Sequence, residues 1–78
     1  MPNRTEYVRV QLMDFPHSIR GFTVMVDSET FIIFINARLS HDAQIHAYDH
    51  EIDHIDRKDF DKMYSVHEIE NIGHALAG

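Results

Sequence analysis

The sequence predicts an α+β fold in which a small three-stranded antiparallel sheet is followed by two helices. In the first half, apolar and polar residues alternate with the two-residue period of strands, and in the second half apolar residues recur with helical spacing. A chain of 78 residues makes a single domain, 1–78. Within it we expect a sheet scaffold over 1–39 and functional helices over 40–78.

Three strands are predicted between turn signals. Glu6–Met13 alternates and forms the first strand. After a loop that contains Pro16, Phe22–Val26 forms the second strand, and Phe31–Ile35 is apolar at every position, as in a strand that is covered on both faces. The polar turn 27–30 predicts that the second and third strands form a hairpin. If the third strand has an open edge, an extended peptide can pair with it.

Two helices are predicted in the second half. Ser40 is a suitable N-cap for a helix that runs to about Ile55. Its expected core stripe consists of Ile45, Tyr48, Ile52 and Ile55. The charged segment 56–61 should return the chain, and Ser65 can cap a second helix. The apolar stripe of that helix would be Val66, Ile69, Ile72, Gly73 and Leu76.

Composition excludes several classes of function. The chain has no cysteine, so any metal site must use histidine and carboxylate ligands. Its formal net charge is −6 and its basic residues are scattered, which argues against direct nucleic-acid binding. The first ten residues are polar and the longest apolar run is Phe31–Ile35. We therefore expect a cytoplasmic protein without a membrane segment.

The segment His50-Glu51-Ile52-Asp53-His54 reads H-E-x-x-H, a pattern whose residue types and spacing suit a metal-assisted reaction. On a helix, His50 and His54 lie one turn apart on one side and can bind one metal ion. Glu51 then projects beside the metal, where a carboxylate can act as a general base. The pattern predicts a Zn²⁺ site with His50 and His54 as ligands and Glu51 as the catalytic base.

A catalytic zinc ion normally takes a third protein ligand, and Glu70 on the second helix is our prediction for it. His74 follows one turn later and is predicted to orient Glu70 or to donate a hydrogen bond to an oxyanion. The other residues that can supply the third ligand are His67, Glu68, His74, Asp59 and Asp61.

The remaining histidines and tyrosines are weaker candidates for a role in the site. His46 precedes His50 by one turn, but it is about 12 Å along the helix axis from His54, too far to share a metal ion. We expect His46 at the rim of a pocket or in solvent, without direct metal contact, and no role for His17 or His41. Tyr48 and Tyr64 can each assist an oxyanion, although both side chains are more typical of structural positions.

Taken together, these residues resemble the ImmA/IrrE-type metallopeptidases, which are zincins of bacteria and their mobile elements. The resemblance lies mainly in His50-Glu51-x-x-His54. It extends over Asp14-Phe15-Pro16, Arg20-Gly21-Phe22, Asn36, Leu39-Ser40, Asp59-Phe60 and Ile69-Glu70-x-x-x-His74. It implies a minimal zincin-like core and a zinc endopeptidase that cleaves a protein partner, such as a helix-turn-helix repressor of a phage or mobile element. By the same resemblance, Glu70 matches the downstream glutamate ligand.

Two other functions remain open from the sequence. In the first, zinc only stabilises a small fold, and the site has four protein ligands with no open position. In the second, a non-catalytic, zinc-stabilised binding module holds a regulatory protein through a strand edge without cutting it.

Overall fold

The computed structural model of the chain describes residues 5–66 and residue 68. These residues form one β-sheet and one long helix, so the predicted α+β class is confirmed. The predicted strands and the first predicted helix all form, each within one residue of its expected bounds. In chain order the elements are β1 (Tyr7–Met13), β2 (Gly21–Asp27), β3 (Thr30–Asn36), α1 (His41–Asp56), a 3-10 turn (Phe60–Lys62) and β4 (Tyr64–Ser65).

The sheet is four-stranded and mixed, with the order β1-β3-β2-β4. β2 and β3 pair antiparallel, as the predicted hairpin requires. β1 instead lies parallel to β3, and β4 lies parallel to β2 through the pairs Val24–Tyr64 and Met25–Ser65. The predicted three-stranded antiparallel sheet is therefore wrong in strand number and in the direction of β1. The direction of β1 was wrong because strands that follow each other in the chain were assumed to pair in the sheet. β4 was missed because two residues are too few to produce a periodic signal.

β3 is a central strand of this sheet. It pairs with β1 from Thr30 to Asn36 on one side and with β2 from Thr30 to Ile35 on the other. The condition for pairing a substrate with β3, an open edge, is therefore not met. The expectation that β3 is covered on both faces holds for one face only: Phe31, Ile33 and Ile35 are buried, whereas Ile32 and Phe34 on the other face are partly buried.

The loop between β1 and β2 passes the end of β3, where the buried side chain of Asn36 holds it. The Asn36 side-chain nitrogen lies 2.8–3.1 Å from three backbone carbonyl oxygens, those of Phe15, Pro16 and Ile19. Its Oδ1 accepts hydrogen bonds from the backbone N–H groups of Phe15 and Arg38. Because the loop cannot pair with a strand here, one buried amide satisfies its backbone polar groups.

The turn between β2 and β3 is closed by Asp27, whose Oδ1 accepts a hydrogen bond of 2.9 Å from the Glu29 backbone N–H. This bond and a second from the Thr30 side chain lower the pKa of the exposed Asp27 carboxyl. The arrangement is an Asx-type turn, which explains why a polar segment without glycine can connect the hairpin.

Helix α1 packs on the face of the sheet that carries Phe31, Ile33 and Ile35. Its buried residues are Ala47, Glu51 and Ile55, with Tyr48 and Ile52 partly buried beside them. Ile45, which was predicted in the core stripe, is exposed, so that assignment is wrong. Ile45 lies roughly 120° around the helix axis from Glu51. The centre of the buried face is therefore occupied by a carboxylate instead of by an isoleucine.

Beyond α1 the chain follows the predicted return. Ser65 Oγ accepts a hydrogen bond from the Glu68 backbone N–H, and Glu68 Oε2 accepts one from the Ser65 backbone N–H, both at 3.2 Å. This reciprocal pair is a capping box, which agrees with Ser65 as a helix N-cap. Val66 and Glu68 have helical conformation. The rest of the predicted second helix lies outside the described residues.

Over residues 5–66 and 68, no helix combines the length and the apolar character that are needed to cross a lipid bilayer.

Replacing Asn36 with alanine should lower the free energy of unfolding by about 2–4 kcal/mol, because several buried backbone groups lose their partner. Urea unfolding followed by circular dichroism measures the change. Gln11→Ala removes an exposed amide from β1 and serves as the control. Equal stability of the two variants would contradict the role of Asn36.

Candidate metal centre

The H-E-x-x-H segment lies within α1, so the helix that the metal site requires is present. Ser40 caps this helix as predicted, accepting a 3.2 Å hydrogen bond from the Ala43 backbone N–H at its Oγ. One turn of helix brings the rings of His50 and His54 together, with centroids 4.6 Å apart and planes at 84°. Their Nε2 atoms are 3.1 Å apart. The two rings therefore converge on a common point.

The distance between the two nitrogens suits a shared metal ion. With Zn–N bonds of about 2.0–2.1 Å and tetrahedral angles, two ligand nitrogens stand about 3.3 Å apart. The observed pair requires an adjustment of only a few tenths of an ångström. A carboxylate oxygen of Glu51 lies within 4.8 Å of both imidazole ligand atoms, so His50, Glu51 and His54 form a group that can hold a metal ion.

The end of α1 positions a carboxylate behind His54. Lys58 adopts a left-handed conformation with φ of 58°, its backbone N–H donates to the Ile55 carbonyl, and the Asp59 N–H donates to the His54 carbonyl. This pattern is a Schellman motif, which turns the chain sharply back towards the helix. Asp59 Oδ2 then lies 3.3 Å from His54 Nδ1. Because a carboxylate only accepts, Nδ1 carries the proton and a neutral His54 ring keeps its Nε2 lone pair for a metal.

Glu51 is an unusual residue for the centre of a helix–sheet interface. Its side chain is 7% exposed, and its Oε1 accepts a 2.9 Å hydrogen bond from Thr23 Oγ1 on β2. Among residues 5–66 and 68, no lysine or arginine forms an ion pair with it. A buried carboxylate with one neutral donor is costly unless a cation lies nearby. A divalent ion between the two histidines would supply that positive charge.

The third ligand cannot be assigned among the described residues. Glu70, our prediction, lies outside them, as do His67 and His74. The Glu68 carboxylate is used in the capping box, and Asp59 contacts the nitrogen of His54 that points away from His50. The Asp61 side chain is exposed in the 3-10 turn.

A groove of about 710 Å³ opens beside His50 and Glu51. One wall is formed by α1, which also contributes His46 and Ala47, so His46 lies at the rim as expected. The opposite side consists of Tyr64 of β4 and of 18–22, where the loop held by Asn36 enters β2. A substrate in this groove would contact the metal-site residues directly.

The β2 backbone forms part of this groove. β4 pairs with β2 only at Val24 and Met25, so within the described residues the stretch Gly21–Thr23 has no partner strand on that side. Gly21 also packs closely on β3, because a Cβ atom there would lie 2.8 Å from the Phe34 carbonyl oxygen. The position therefore requires glycine and keeps β2 close to the sheet.

Other residues named from the sequence have separate roles in the structure. Tyr48 packs against the core, whereas Tyr64 lines the groove with its ring nearly perpendicular to that of Phe22. Asp53, the charge inside the motif, pairs with Arg57 Nε at 3.1 Å on the exposed side of α1.

Two contacts of the site were missed from the sequence. Thr23 contacts Glu51, and Asp59 contacts His54 behind the metal face instead of within it. A signal for Thr23 existed, since alternation along β2 puts this hydroxyl on the apolar face that the helix covers. Its partner, 28 residues away, was not predictable from local pattern.

Comparison with known proteins identifies no relative: no family model, no curated protein and no solved structure matches this chain.

Asp59→Ala should weaken Zn²⁺ binding by about 10- to 100-fold, because His54 loses the acceptor that fixes its ring and tautomer. Competition against a chromophoric chelator measures the affinity. Asp61→Ala removes a neighbouring exposed carboxylate and should leave the affinity unchanged. A similar loss in both variants would indicate a general charge effect and contradict the specific role of Asp59.

Proposed function

We propose that this chain is a zinc-dependent endopeptidase with a minimal zincin-like core, similar to the ImmA/IrrE-type metallopeptidases. Its proposed substrate is a protein partner, such as a helix-turn-helix repressor of a phage or mobile element. The observation that carries the proposal is the convergence of two imidazole nitrogens, 3.1 Å apart, beside the buried carboxylate of Glu51. This group faces a groove that can admit a peptide.

In the proposed reaction, His50 and His54 hold the metal ion, and Glu70 is the proposed third ligand. When bound, zinc acts as a Lewis acid that polarises a peptide carbonyl and makes water reactive near neutral pH. Glu51 accepts the proton of the attacking water and returns it to the leaving amine. Burial of Glu51 excludes bulk water from this proton transfer. His74 is the proposed oxyanion donor, and Tyr64 on the groove wall is the alternative.

The proposed substrate position is an extended peptide along β2. Gly21 and Phe22 line the groove together with His50 and Glu51. Their backbone has no partner strand on that side within the described residues and can add a strand through main-chain hydrogen bonds. Recognition of this kind selects extended or locally unfolded segments. A peptide bound in this position would also have its scissile bond near the metal ion.

The binding-module alternative uses the same strand edge and the same zinc ligands without cleavage. It draws support from the Thr23–Glu51 hydrogen bond, because a buried and fixed carboxylate is also compatible with a purely structural role. Cleavage distinguishes the two functions. An intact partner that co-purifies with the metal-loaded chain would favour the binding module.

Glu51→Gln should retain zinc and lose cleavage by at least about 100-fold, because the amide cannot accept the proton. The Gln side-chain oxygen can still accept the hydrogen bond from Thr23, so the fold should persist. Elemental analysis measures the zinc content. Mass spectrometry of unfolded β-casein, and of a co-expressed helix-turn-helix repressor, measures cleavage.

His54→Ala is the matched control and should lose both the metal and the cleavage. If Glu51→Gln cleaves as fast as the parent, Glu51 is not the base. If the parent protein binds one equivalent of zinc but cleaves neither probe, the endopeptidase proposal is wrong and a non-catalytic zinc protein is favoured.

A further inference from the structure

The hydrogen bond between Thr23 and Glu51 joins β2 to α1 close to the histidine pair. Thr23 is fully buried, and its Oγ1 donates a hydrogen bond of 2.9 Å to Glu51 Oε1. Glu51 makes no hydrogen bond to either imidazole ring in the part of the chain that the structure describes, although a carboxylate oxygen lies within 4.8 Å of both rings' ligand atoms. The carboxylate is thus held beside the histidine pair by a residue on another element.

The properties of the two side chains make Thr23 the fixed partner. Threonine is β-branched and has a restricted χ1 angle, and the Thr23 backbone is held in the sheet opposite Ile33. Glutamate has three side-chain torsions and can reach several positions from the same helix backbone. A bond from a fixed hydroxyl therefore selects one of these positions for the carboxylate.

The selected position matters because a carboxylate next to an imidazole pair has two possible roles. Glutamate oxygens bind zinc readily at about 2.0–2.2 Å. If Glu51 turned onto the metal, it would fill a coordination position and could no longer move a proton. The hydrogen bond to Thr23 opposes this rotation, because breaking it leaves the buried Thr23 hydroxyl without a partner.

We infer that Thr23 is a positioning residue that holds Glu51 out of the metal's ligand set and in place as the proton acceptor. This inference deepens the proposed function and rests on it. Valine has nearly the same shape as threonine but removes the donor to the buried Glu51 oxygen, so a purely structural role of Thr23 would lower stability without changing the ligands of a bound metal ion. A positioning role would change those ligands. The two roles therefore differ in their response to Thr23→Val.

The test compares Thr23→Val, Thr23→Ser and Thr30→Val in the full chain loaded with Co²⁺ or Zn²⁺. Thr30→Val makes the same chemical change at the start of β3, away from the site. The visible absorption of Co²⁺ reports its coordination, and cleavage of unfolded β-casein gives kcat and KM.

In Thr23→Val we expect a weaker, shifted Co²⁺ absorption because Glu51 joins the ligands. With Zn²⁺, kcat should fall about 10- to 100-fold while KM is unchanged. Thr23→Ser should restore both readouts, and Thr30→Val should match the parent. In the double variant Thr23→Val/Glu51→Gln, the absorption should return to that of Glu51→Gln, because the amide is a poor ligand.

A Thr23→Val protein with the parent's Co²⁺ absorption overturns the inference, as does a Thr23→Ser protein as impaired as Thr23→Val. The Co²⁺ readout does not depend on turnover. If the parent binds Co²⁺ but cleaves nothing, the endopeptidase proposal fails while the absorption still decides the position of Glu51. If the parent binds neither metal, both proposals fail.

Discussion

The burial of one carboxylate at the helix–sheet interface determines much of this structure. Glu51 lies between Ala47 and Ile55 on the face of α1 that covers β2 and β3. An ionised side chain in that position is stable only if its oxygens find donors or positive charge. Thr23 supplies one donor from the sheet, and the convergent histidines create a position for a cation. One electrostatic requirement therefore links the rotation of α1, the presence of Thr23 in β2 and the candidate metal site.

Local patterns predicted the elements well, because their signals are contained within short segments. The alternation in β1 and β2, the apolar run of β3 and the Ser40 cap all act over a few residues. The H-E-x-x-H pattern is local as well, since helix geometry alone makes His50 and His54 converge. The bounds of these elements and the approach of the two rings were accessible from the sequence for this reason.

The features that sequence reasoning missed depend on contacts between distant segments. Because β1 pairs parallel with β3, the loop between β1 and β2 crosses the end of β3, where the Asn36 side chain hydrogen-bonds to it. The rotation of α1 was misjudged because isoleucines were counted as core, whereas Glu51 takes the central position and Ile45 is exposed. The error at Ile45 therefore follows from the burial of Glu51 on the face of α1 that packs on the sheet.

Separate polar contacts fix the groove and the candidate metal site beside it. Asn36 holds the loop that leads into β2, the Thr23 hydrogen bond joins β2 to α1, and Asp59 fixes the ring of His54 from behind. A small domain gains only a few kcal/mol from its apolar core, so a metal ion bound by the two histidines would also stabilise the fold. The proposed function would use the groove as well, because an extended chain bound beside Gly21 and Phe22 would lie next to the metal ion. Folding and binding would then depend on the same few residues.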